Sequence, residues 1–179
     1  LPYAARAWWI LHYAGHKNVR VLNGGLEAWK KAEGQTEQLP RQYEPSIFKG
    51  DFTPTMFASK EEVLASIEDD NVAIIDVLPL ISYEGAHISG STCLPCTDLM
   101  QAMDYFLPED QLANRLKDIS HNKRVITYCG GGIAAAINAM SHVMVGHKNV
   151  AIYDGSMYEW LGEDLPVVGT GEWEIWMQK

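Results

Sequence analysis

One pentapeptide occurs twice in this chain. Gly-His-Lys-Asn-Val stands at residues 15–19 and again at 146–150, and NGGLEAW at 23–29 matches DGSMYEW at 154–160 on the same offset of 131 residues (146 minus 15). Two separate matches on one register make an internal repeat, which constrains the fold more tightly than any local propensity. The repeated unit reads as a helix, a short glycine-containing turn, a β-strand, and a glycine that opens another helix. In the second copy these fall at about 133–145, 150–153 and 156–161.

Projected back by the same offset, Cys129 would lie three residues before residue 1. Residues 1–34 therefore read as the closing helix–strand–helix of a first domain, and residue 1 as a cut end of a longer protein. One strand cannot make a sheet. The segment is expected to dock on the second domain, to be completed by the missing N-terminal part or another chain, or to be poorly ordered. Residues 35–51 read as an interdomain linker, opening a stretch to residue 58 that carries three prolines and no clean periodicity. Residues 52–170 read as a complete domain and 171–179 as a C-terminal tail.

Within the complete domain, Ser59 and Glu62 form a Ser-x-x-Glu capping box before KEEVLASIE. NVAIIDV at 71–77 and RVITY at 124–128 are short apolar, β-branched runs of the kind found in buried parallel strands. STCLP suggests a further short strand, and Pro108 opens a helix through Lys117. Strands alternating with helices predict an α/β sandwich around a parallel sheet.

The net charge of −9 disfavours nucleic acid as a partner and gives no long-range attraction to anions. No apolar run is long enough for a membrane span. Three cysteines make an odd count with no disulfide framework, which points to a reducing cytoplasm.

The chemistry concentrates in VITYCGGGIAAAINAM, residues 125–140, where a strand pattern turns into a helix pattern. Three consecutive glycines suit neither element. They suit a loop whose amides approach an anion, reinforced by a helix N-terminus. A cysteine there is expected to have a lowered pKa and to act as a nucleophile. The bland reading is a buried strand-end cysteine beside a turn.

In order along the chain, IIDVLPLISYEGAHISGS, RVITYCGGGIAAA and VAIYDGSMYEW resemble three motifs of the rhodanese superfamily, specifically the two-domain sulfurtransferases. VRVLNGGLEAWKKAEGQ resembles the closing element of that family's first, non-catalytic domain. The resemblance implies a rhodanese-like three-layer sandwich with a central parallel sheet, plus a partial first repeat. It implies transfer of a sulfane sulfur from 3-mercaptopyruvate or thiosulfate to a thiol or cyanide through a Cys129 persulfide. Gly130, Gly131, Gly132, Ile133 and Ala134 would form the persulfide-binding loop, with Asp76 and His87 in support, and neither cofactor nor metal.

The chain also departs from the family pattern. Thiosulfate enzymes carry Arg and Lys where this loop has Gly130 and Gly131; the loop serine and threonine of the 3-mercaptopyruvate enzymes are Gly131 and Ala134. Leu78 stands in place of the arginine of Asp-x-Arg, and the second substrate arginine is replaced near Ser82. These losses define the alternative, a catalytically degenerate binding or redox-sensing module. Related phosphatases need an arginine at position 135, which is Ala135 here. Cys93 and Cys96 have CxxC spacing and read as structural, with a resolving thiol as the lesser reading. Trp29 and Trp160, at matching repeat positions, read as core anchors. The aromatics of EWEIWMQK are expected to pack against the linker or a partner.

Overall fold

The computed structural model describes residues 1–119 and 123–174. Its elements in chain order are α1 (Pro2–Tyr13), α2 (Gly25–Lys31), β1 (Phe57–Ala58), α3 (Lys60–Ser66), β2 (Val72–Asp76), α4 (Leu80–Gly85), β3 (His87–Ile88) and β4 (Thr92–Cys93). There follow β5 (Met100–Gln101), β6 (Tyr105–Phe106), α5 (Glu109–Leu116), β7 (Arg124–Tyr128), α6 (Ala135–Met144), β8 (Val150–Tyr153), α7 (Ser156–Gly162) and β9 (Val167–Val168).

Five strands form one sheet in the order β1-β8-β7-β2-β4, every pair parallel. All four residues of β8 are buried, as are Val125 to Tyr128 of β7. Side chains of a strand alternate between faces, so burial of consecutive residues means that both faces are covered. This is the expected α/β sandwich. Helix α3 begins at the expected capping box, with the Glu62 amide donating to Ser59 Oγ at 3.2 Å. Arg124 ties the amino end of β7 down, donating to Glu62 Oε1, the Thr55 carbonyl and Asn149 Oδ1 at 2.8–2.9 Å.

The first repeat copy docks on the second. Helix α1 packs along α6, burying Ala5 and Trp9, and the Trp9 indole donates to the Met56 carbonyl at 3.0 Å. The turn before α2 rests on the β5–β6 hairpin: the Gly24 amide donates to the Asp104 carbonyl, and the Phe106 amide donates to Asn23 Oδ1, both at 2.8 Å. Two expectations are corrected. Residues 19–22 form no strand, because no neighbouring strand offers them a ladder. Trp29 is not a core anchor: it is 43% exposed, its indole donating locally to the Gln35 carbonyl, whereas Trp160 is fully buried against Tyr153. The two tryptophans share a sequence position, but only Trp160 has a sheet beneath it.

Trp173 lies edge-on to Tyr158, at 5.9 Å between ring centroids. Trp176 and the rest of 175–179 lie outside the described residues.

Candidate active site

Strand β7 runs through the middle of the sheet and delivers Cys129 at its carboxyl end, where ligands of open α/β sheets bind. The side chain is tucked in at 3% exposure, while Gly131 and Ile133 face outward. Helix α6 follows at Ala135 with no side-chain cap. Among the described residues, the amides of Gly130, Gly131, Ile133 and Ala134 donate to no protein acceptor. Unused amides at a helix start are suited to holding negative charge.

The turn between β8 and α7 fixes this loop. Ser156 Oγ accepts from the Cys129 amide at 3.2 Å and the Gly132 amide at 3.1 Å, and donates to the Tyr153 carbonyl at 2.8 Å. The amides of Met157 and Tyr158 donate to the carbonyls of Cys129 and Gly130. Gly132 has φ +76°, and a Cβ there would stand 2.4 Å from Asp154 Oδ1 and 2.9 Å from the Asp154 carbonyl oxygen. Only glycine fits.

Sequence reasoning missed Ser156. Its repeat counterpart is Gly25 (156 minus 131), and both positions are left-handed, with φ of 52° and 60°. A serine at a glycine's conformation is strained, and the hydroxyl it gains is what ties the loop. The signal was available in the aligned heptapeptides, as the one departure from glycine at that position.

Asp76 ends β2 beside Tyr128 in register and is fully buried. Its Oδ1 accepts from the Leu78 amide at 2.9 Å, and among the described residues Oδ2 has no hydrogen-bond partner. Burial raises its pKa to about 6, partly offset by the Leu78 amide and the Tyr128 hydroxyl. His87 stacks on Tyr83 at 3.7 Å with Nδ1 2.7 Å from the Tyr83 carbonyl, a structural arrangement. Leu78 and Ser82 are buried, so neither position offers a group to a ligand from solvent.

Cys93 and Cys96 sit at the same end of the sheet. Cys93 pairs in register with Asp76, and the Cys96 amide donates to the Val77 carbonyl. Burial pushes both thiols up to about 11, away from nucleophilic service at neutral pH. All three cysteines are free. Among the described residues, no group of three His, Cys, Asp or Glu side chains could hold a metal ion.

The Rhodanese-like domain model matches residues 2–32 and 59–163, most of the chain. The chain belongs to the rhodanese family. Its relatives include thiosulfate/3-mercaptopyruvate sulfurtransferase 2 of Arabidopsis thaliana, 31% identical over 93% of this chain and 59% of its own. The thiosulfate sulfurtransferase of Bos taurus is 30% identical over 92% of this chain and 60% of its own. The rhodanese fold extends to the crystal structure of SseA from Escherichia coli, described as a 3-mercaptopyruvate sulfotransferase, at TM-score 0.76 and 27% identity. That match covers 85% of this chain and 61% of SseA. The wild-type structure of EanB, at TM-score 0.83 but 20% identity over 92% of this chain and 44% of its own, shares the fold. The chain thus spans about 60% of the length of the sulfurtransferases it matches.

Proposed function

We propose that this chain carries the sulfur-transferring half of a sulfurtransferase, with Cys129 as the sulfur carrier. The observation that supports this best is the position of Cys129 at the carboxyl end of the central strand, in a loop whose unused amides open α6. The names of the relatives support the reaction class. Residues 1–34 are the end of a first rhodanese-like unit and 52–170 the second, joined by 35–51. The free cysteines are consistent with a reducing compartment such as the cytoplasm. No helix among the described residues is long and apolar enough to cross a membrane.

The Cys129 thiolate attacks the outer sulfur of thiosulfate or the thiol sulfur of 3-mercaptopyruvate. With thiosulfate the donor S–S bond breaks and sulfite departs with the electron pair. With 3-mercaptopyruvate the C–S bond breaks, and the pyruvate carbanion takes a proton from water. Either way Cys129 becomes a persulfide, whose terminal negative sulfur is held by the unused amides of Gly130, Gly131, Ile133 and Ala134. An acceptor thiolate or cyanide then attacks the outer sulfur, the persulfide S–S bond breaks, and the Cys129 thiolate returns. Asp76 orders the Leu78 turn and His87 braces the α4 end; neither exchanges a proton with substrate in this scheme.

The second reading, a degenerate binding or redox-sensing module, is favoured by one observation: the cation positions of the family hold buried Leu78 and the glycines Gly130 and Gly131. Intact-protein mass spectrometry after exposure to 3-mercaptopyruvate or thiosulfate separates the two. Gain of one sulfur, reversed by cyanide and absent in Cys129→Ser, is the expected result. No gain from either donor in folded protein favours the second reading.

A further inference from the structure

Helix α1 does more than cover α6. Arg6 projects from it to the far side of the Cys129 loop, where Nη2 pairs with Asp154 Oδ1 at 2.6 Å. That same oxygen is the atom that a Cβ on Gly132 would meet. The guanidinium also lies over the Phe57 ring, with Cζ 5.3 Å from its centroid, and Nη1 is buried with no hydrogen-bond partner among the described residues. Its neighbours Ala5 and Trp9 are fully packed, so the helix beneath it is anchored. The Arg6 side chain is 18% exposed and Asp154 53%.

We propose that Arg6 is a positioning residue of the Cys129 loop: from the first repeat copy, it holds and neutralises the Asp154 carboxylate against which Gly132 is folded. This rests on the reading of Cys129 as the reacting thiol. The loop has no cation of its own, and acidic residues stand on the elements at this end of the sheet. Asp76 closes β2, Asp98 lies in the turn that begins at Cys96, Asp154 follows β8, and Glu159 stands on α7. The Cys96 thiol, on that same turn, is near enough to Cys129 for the two to interact electrostatically. Without Arg6, Asp154 becomes an uncompensated negative charge beside a loop that must hold a thiolate. A charge pair in which one partner is supplied by the other repeat copy makes the reactivity of Cys129 depend on α1 being seated.

The test uses the full chain and reads the Cys129 thiol directly, through its rate of alkylation by iodoacetamide at neutral pH, located by mass spectrometry. Arg6→Met is expected to slow that alkylation about three- to tenfold. Arg6→Lys keeps most of the native rate, and adding Asp154→Asn to Arg6→Met restores it. Asp154→Asn alone leaves Arg6 uncompensated and quickens alkylation; this variant carries the test should Arg6→Met fail to fold. A rate within about 1.5-fold of the native one in folded Arg6→Met overturns the proposal. So does failure of the double variant to restore it, which reduces Arg6 to packing. Alkylation does not require sulfur transfer, so an absent persulfide on the native protein speaks against the proposed function without touching this result.

Discussion

Single side chains at the loop carry opposing terms that substitution separates. Ser156 combines a left-handed backbone with a hydroxyl serving two amides. Ser156→Ala keeps the strain and abandons both amides, so urea denaturation is expected to show a loss of about 2–3 kcal/mol. Ser156→Gly relieves the strain and should be less damaging by about 1 kcal/mol. Asp76 makes a pH prediction. Its folded pKa of about 6 lies above the ordinary 3.8, so its contribution to stability is fully present below about 3.8 and is lost as pH rises through 6. Against Asp76→Asn, which cannot ionise, the native protein should lose up to about 3 kcal/mol between pH 4 and 7. Equal pH profiles for the two proteins would contradict the assignment. Ser156 was hidden in the sequence because a serine in a glycine slot looks like drift until its φ is known.

Elements with a period were legible and elements without one were not. The capping box at Ser59, the runs at 71–77 and 124–128 and the switch into α6 all carried their signal in residue pattern. Helix α4 spans six residues, and β3, β5, β6 and β9 two each, too short for any periodicity to register. Residues 19–22 show the reverse error. Their β-branched pattern is real, but strand formation depends on partners elsewhere in space. The joint between β7 and α6 has a sharp test in Gly132→Ala. The left-handed φ and the 2.4 Å approach to Asp154 should destabilise the protein by about 2 kcal/mol or more and slow Cys129 alkylation.

For the molecule as a whole, the repeat left open whether residues 1–34 dock on the second domain, are completed from elsewhere or stay poorly ordered; α1 packs on α6. Trp9 decides how firmly. It is 1% exposed at the α1–α6 contact, and Trp9→Ala should lower stability by about 3–5 kcal/mol in urea denaturation. The chain between the two copies behaves differently. Residues 35–50 are almost wholly exposed, and the segment turns back at its base, where the Asp51 and Thr53 amides donate to the Ala14 and Tyr13 carbonyls. Limited proteolysis is therefore expected to cut within 35–50 first. The two pieces should then stay together through a native gel, because what joins them is the buried face of α1 rather than the peptide bond. Tethered, the helix is always at high local concentration; cut, it becomes a ligand that dilution can remove. The molecule is then expected to split into a large body and a short helical peptide, with the reactivity of Cys129 following how much peptide is supplied.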